Sequence, residues 1–128
     1  MNKKILITAS VLGGLAVILG AFAAHGLENK VTKDDIDTFQ TGVRYQMYHA
    51  LLLLFVANIN YISNVAKKRI LYLVIIGVIL FSGSIYGLST NSLTAFNFKS
   101  IAFITPIGGL MLILSWIILL VSFIKISE

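Results

Sequence analysis

The sequence predicts an all-α integral membrane four-helix bundle. Three observations predict it: 58% of the 128 residues are hydrophobic, only 12% are charged, and the apolar residues gather into four long runs. A soluble domain normally carries about 25% charged residues. The runs cover about 5–24, 43–64, 70–89 and 101–124, each near the roughly 20 residues that cross a hydrocarbon core of about 30 Å. Backbone groups in lipid must satisfy their own hydrogen bonds, and runs of this length do so as helices. The chain therefore reads as a single membrane domain, 1–128, without an internal repeat or a soluble part.

The first run opens on Lys3-Lys4 and closes on Ala21-Phe22-Ala23, a layout shared with secretory signals. It is as long as the other three and is read as a span. Ala9, Gly13, Ala16, Gly20 and Ala24 repeat small side chains along it, which lets a neighbouring helix approach closely. Gly13-Gly14 has no preceding strand and no phosphate-binding context, so it marks packing rather than a nucleotide loop. Gly26, after His25, suits a helix C-cap.

Thr32 with Asp35 three residues later has the form of a capping box, and Val31 can staple onto Ile36. Asp34, Asp35 and Asp37 favour the positive end of a helix dipole. Ile36, Phe39 and Val43 share one face, predicting a short amphipathic outer helix between spans 1 and 2 that runs into the second span. That span opens with Val43-Arg44-Tyr45-Gln46-Met47-Tyr48-His49-Ala50. Ionisable groups within a span are costly and usually face protein or water. Arg44 and Tyr48, and likewise Tyr45 and His49, lie four apart and form two adjacent stripes. Arg44 can reach the headgroups or pair with an acid such as Asp37. Asn58 to Asn64 makes a polar exit.

The third span follows Lys67-Lys68-Arg69 and contains Ser82, Gly83, Ser84, Tyr86 and Gly87. Gly83 and Gly87 form a small-xxx-small pair expected to face another helix, with the serines able to bond across it. Ser89 to Ser100 is a loop. Thr105-Pro106 starts the last span, where proline needs no donor. Gly108-Gly109 offers a further close contact, and Trp116 reads as a mid-span packing residue.

The net charge of +5 comes from scattered bases that flank the spans, so a nucleic-acid partner is not expected. Lys3, Lys4, Lys67, Lys68, Arg69 and Lys125 fall on one side of a four-span chain and Lys30, Lys33, Arg44 and Lys99 on the other, six against four. Positively charged loops stay inside, which places both termini in the cytoplasm. The absence of cysteine excludes disulfides, thiolate metal sites and cysteine nucleophiles. Two histidines, His25 and His49, are weak evidence for a metal or haem, and no cofactor is expected.

At a helix rise of about 1.5 Å per residue, His49 lies roughly 9 Å below the outer end of its span, at the level of Ser82, Ser84 and Tyr86. His25 and Thr105 sit near the same face. The candidate polar or ligand-binding cluster is thus His25, Arg44, Tyr45, Tyr48, His49, Ser82, Ser84, Tyr86 and Thr105. Gly13, Gly20, Gly83, Gly87, Gly108 and Gly109 are the candidate packing positions. Three roles fit the cluster: helix-to-helix bracing, a pocket for a lipid headgroup or small polar ligand, and a proton or ion path. Catalysis would require a nucleophile beside a positioned base, for which serines near a histidine are insufficient.

Four motifs stand in order: Gly20-Ala21-Phe22-Ala23-Ala24-His25-Gly26-Leu27, Val43 to Ala50, Phe81-Ser82-Gly83-Ser84-Ile85-Tyr86, and Thr105-Pro106-Ile107-Gly108-Gly109. Together they resemble the domain-of-unknown-function 423 family of small bacterial membrane proteins, related to the animal transmembrane protein 256. The resemblance covers essentially the whole chain, with Ala23 a mild departure from a position often held by glycine. It implies a four-span protein of the bacterial plasma membrane and brings no activity, substrate or catalytic residue. The functional expectation is a non-enzymatic multi-pass protein acting on the outer-leaflet side through membrane lipids or a protein partner, another copy included. A small transporter or channel subunit for a polar solute or ion is the rival, and a membrane enzyme acting on a lipid headgroup a third class. The leucine-rich inner half offers no polar steps for conduction.

Overall fold

A computed structural model describes residues 2–127 of the chain, and among them every regular element is helical. Helix α1 spans Asn2–His25, α2 Lys33–Asn58 and α3 Asn64–Val78. A π turn, Ile79–Gly83, carries α3 into α4, Ser84–Ser89. Two 3-10 turns, Asn91–Leu93 and Phe98–Ile101, lead to α5, Ile104–Ile124.

Each boundary has a local cause. At the end of α1 the amides of Gly26 and Leu27 both donate to the Phe22 carbonyl, at 2.6 and 3.2 Å. The left-handed residue of this connection is Asn29, φ 63°, rather than Gly26. Gly26 serves another need, since a Cβ there would run into the Phe22 ring. Thr32 caps α2 as expected, its Oγ1 accepting from the Asp35 amide at 3.1 Å. The expected outer amphipathic helix and the second span are one uninterrupted helix. That helix stops at Asn58, short of residue 64, because Ile59 is extended and Ser63 already caps α3 by accepting from the Ala66 amide. Consequently Lys67-Lys68-Arg69 lies within the first turns of α3 rather than before it.

Among the described residues, three helices are long and apolar enough to cross a membrane: Asn2–His25, Asn64–Ser89 through the π turn, and Ile104–Ile124. Helix α2 is long but misses that standard because Arg44, Gln46 and His49 interrupt its apolar residues. Burial explains how such a sequence is tolerated. Ten residues of α2 are buried, against four each in α1 and α5. Helix α1 packs along one side of α2, while α3, the π turn and α4 cover another. Helix α5 packs on α3 and the π turn. The most polar helix is thus the central one, and its neighbours take its polar groups out of the lipid.

The close approaches differ from the small-residue pattern. Gly83, expected to face another helix, faces open space, with nothing within 4 Å of a Cβ placed there. The π turn is the reason: its extra residue rotates the chain so that Ser82, 0% exposed, points inward instead. Gly87 meets the Phe98 ring from the 3-10 turn, a loop rather than a helix. A Cβ placed at Gly13 or Gly20 would stand at ordinary distances from α2, 3.7 Å from Ala50 and 3.4 Å from Val43. The tightest approach is Gly108, whose missing Cβ makes room for the Leu80 and Phe81 backbone of the π turn. Gly77 against Leu112 and Gly42 against Tyr86, both with a Cβ-to-atom distance of 2.7 Å, are close contacts the pattern did not single out.

Candidate functional site: a hydrogen-bonded belt around α2

The inward face of α2 runs Phe39, Gly42, Val43, Gln46, His49, Ala50 and Leu53, a three-and-four spacing that keeps one side of a helix together. Its polar members each reach a different neighbour. Gln46, 4% exposed, donates from Nε2 to the Leu12 carbonyl of α1 at 2.8 Å and accepts the Tyr86 hydroxyl of α4 on Oε1 at 2.7 Å. Ser82 donates to the Gly42 carbonyl at 2.8 Å, where the absence of a side chain exposes that carbonyl. Two residues before Gly42, Gln40 donates to the Gly20 carbonyl of α1 at 3.4 Å. Ser84 and Thr105 share a short hydroxyl contact that ties α4 to α5.

His49 completes the belt and its geometry fixes its state. Its Nδ1 lies 2.7 Å from the Tyr45 carbonyl, an acceptor only, so Nδ1 carries the proton. Its Nε2 lies 3.1 Å from the Trp116 indole nitrogen, a donor only, so Nε2 is the acceptor. The ring is therefore a neutral imidazole in one tautomer with both nitrogens engaged. Neither nitrogen is free to ligate a metal or relay a proton without breaking its bond, Nδ1 to Tyr45 within α2 or Nε2 to Trp116 of α5. Every fully buried side-chain nitrogen or oxygen among the described residues has a partner, as expected where an unpaired polar group costs several kcal/mol in hydrocarbon.

Of the sequence-predicted cluster, His49, Ser82, Ser84, Tyr86 and Thr105 are in this belt. Tyr45 stands at its edge, lending its carbonyl to His49 while its ring packs 5.1 Å from that of Phe81. Arg44, Tyr48 and His25 are not brought to the belt. Arg44 is exposed and donates to Thr41 Oγ1 at 2.9 Å, Tyr48 is 51% exposed, and His25 is exposed in the last turn of α1. Sequence reasoning missed Gln40 and Gln46 and placed Trp116 as plain packing. The signal for Gln46 was present: it shares the face of Gly42 and His49, three and four residues apart.

Beside the belt, α2, the π turn and α5 enclose a groove of about 310 Å³ lined by Tyr45, His49, Phe81, Gly109, Ile113 and Trp116. It is largely aromatic and apolar, and its one strongly polar lining group, His49, is already bonded.

The sequence model of the family described as "Protein of unknown function (DUF423)" matches residues 19–109. The chain belongs to this family. The matched span runs from the last turns of α1 to Gly109, and so includes the Gln46–Tyr86 and Ser82–Gly42 bonds and the Gly108 contact. The chain is 39% identical over 127 residues to the "UPF0382 membrane protein YwdK" of Bacillus subtilis, covering 96% of this chain and 98% of the relative. It is 35% identical to the "UPF0382 membrane protein SSP2132" of Staphylococcus saprophyticus, covering 97% and 99%. It is 33% identical to the "UPF0382 inner membrane protein YgdD" of Escherichia coli, covering 99% and 94%. No solved structure matches. Membership in a family of named membrane proteins, with three helices of spanning length and apolarity, makes this an integral membrane protein.

Proposed function

We propose that the chain crosses the bacterial plasma membrane four times, with both termini cytoplasmic, and acts without catalysis by holding a lipid acyl chain in the groove between α2 and α5 on the outer-leaflet side. One observation carries this reading: the buried polar groups of that half are all hydrogen-bonded within the protein, whereas the apolar groove beside them stays open. A polar solute would find no free donor or acceptor along the belt, and His49 offers no proton to pass. The other half of the bundle is a core of Leu53, Val56, Ile70, Val74 and their apolar neighbours, which supplies no steps for an ion. An α2 of 26 residues is about 39 Å long at 1.5 Å per residue, enough to cross.

Trp116 is the single tryptophan and lines the groove, so its fluorescence reports on the occupant. Titrating brominated phosphatidylcholine into the detergent-solubilised protein should quench Trp116 with a saturable component. Ile113→Phe, which fills the groove, should remove that component and leave only the gradual quenching from surrounding lipid. Purely gradual quenching in the parent protein would overturn the lipid reading. If Ile113→Phe then changed the oligomer size, the groove would be a seat for a partner helix instead.

Orientation is tested with single introduced cysteines and an impermeant thiol reagent, since the native chain has none. Lys68 is the suitable inside probe because Lys67 is only 3% exposed and bonds Asn2 Oδ1 at 3.1 Å. In intact cells Asp34→Cys should label and Lys68→Cys should not. The reverse pattern would invert the topology.

A further inference from the structure

The end of the bundle that holds Lys67-Lys68-Arg69 carries a second, separate feature. A cavity of about 370 Å³ lies between the α2–α3 turn and the last turns of α5. Its wall is apolar, formed by residues such as Ile118 and Val121, while Arg69 and Lys125 stand on its lining. A larger groove of about 600 Å³ runs along α3 on the adjoining side, lined by Lys68, Arg69, Tyr72 and Ile76 among others. Val65, Arg69 and Ile118 border both spaces. From Arg69 to Ile76 is about 10 Å along the helix at 1.5 Å per residue, so one path leads from the charged end of the bundle down an apolar wall. The cations here have few internal partners by composition: no aspartate or glutamate occurs from Thr38 to Ser127, and the one acid beyond, Glu128, lies outside the described residues.

We infer that this junction is a binding site for an anionic phospholipid, its phosphate held between Arg69 and Lys125 and one acyl chain lying in the groove past Tyr72 and Ile76. A guanidinium on an exposed helix face presents paired donors that match a phosphate, and the second cation on α5 lets the headgroup bridge two helices that pack on each other. The apolar groove continuous with the cations favours a phospholipid over a free phosphate, because only the lipid fills both spaces. This site shares no lining residue with the α2–α5 groove and does not depend on that reading.

The test is native mass spectrometry of the full chain in detergent, titrated with phosphatidylglycerol or with phosphatidylcholine. The parent protein should retain phosphatidylglycerol preferentially. Two cations near a phosphate predict a roughly thirtyfold weaker retention of phosphatidylglycerol in Arg69→Gln/Lys125→Gln, and roughly fivefold for either alone. Both side chains are exposed, so folding in lipid-free detergent should be unchanged. Lys30→Gln/Lys33→Gln, at the other end, should bind like the parent. Val65→Trp, which narrows both spaces and leaves every cation in place, should also weaken retention. Inorganic phosphate should not compete at lipid-equivalent concentrations. Equal retention of the two lipids, equal loss in the Lys30/Lys33 variant, full competition by phosphate, or unchanged binding in both Val65→Trp and the Arg69/Lys125 variant would each overturn the site.

Discussion

Gly108→Ala is expected to destabilise the bundle by about 2–3 kcal/mol, the upper part of the range for forcing extra volume into a packed interior. The added Cβ would meet the Leu80 and Phe81 backbone of the π turn, and would lie 2.8 Å from Leu80 Cβ. Backbone cannot swing aside as the end of a long side chain can, so relief requires α5 to withdraw. Withdrawal would loosen Leu112 from Gly77 and Gly109 from Phe81, and would stretch the Ser84–Thr105 and His49–Trp116 bonds. In lipid these contacts matter more than apolar burial, because the surrounding chains are as apolar as the core. Gly83→Ala is the internal control. Gly83 has helical angles, φ −61° and ψ −44°, and open space around it, so alanine there should be neutral or stabilising by up to about 1 kcal/mol. Unfolding midpoints in mild detergent compare the two. Equal losses would show that α5 does not rest on the π turn.

That contrast marks where the sequence was legible and where it was not. The membrane class followed from composition and run length, and the Thr32 cap from its spacing to Asp35, because both depend on local chemistry alone. The π turn did not: Phe81-Ser82-Gly83-Ser84 is compatible with an ordinary helix, and only the fit against Gly42 and Gly108 selects the wider turn. Missing that one extra residue misplaced Gly83, which faces open space instead of another helix. The polar cluster was legible as a stretch of chain but not in direction. Arg44, Tyr48 and His49 lie within six residues of one another on α2, yet a step of one residue turns the helix by about 100°, so close neighbours along the chain point to different surroundings. The face formed by Phe39, Gly42, Gln46, His49 and Leu53 sorts them correctly, leaving Arg44 and Tyr48 outside.

Gln46→Leu should then be the costliest change in the belt, at about 1–2 kcal/mol. Interhelical hydrogen bonds in membranes average about 0.6 kcal/mol and reach about 1.7, and this amide makes two, one to α1 and one to α4. Leucine also strands the Tyr86 hydroxyl, which otherwise donates to Oε1, and stranding one partner costs more than removing both. A second change distinguishes the bond from simple packing. In the Gln46→Leu background, Tyr86→Phe should cost nothing further or restore stability, whereas alone it should cost about 0.5–1 kcal/mol. Arg44→Ala, two residues away but exposed, should stay within about 0.5 kcal/mol of the parent. Thermal or denaturant unfolding of the four variants closes the cycle. Strict additivity of the Gln46 and Tyr86 changes would mean that α2 and α4 are not joined through this amide, and the centrality of α2 would have to rest on shape alone.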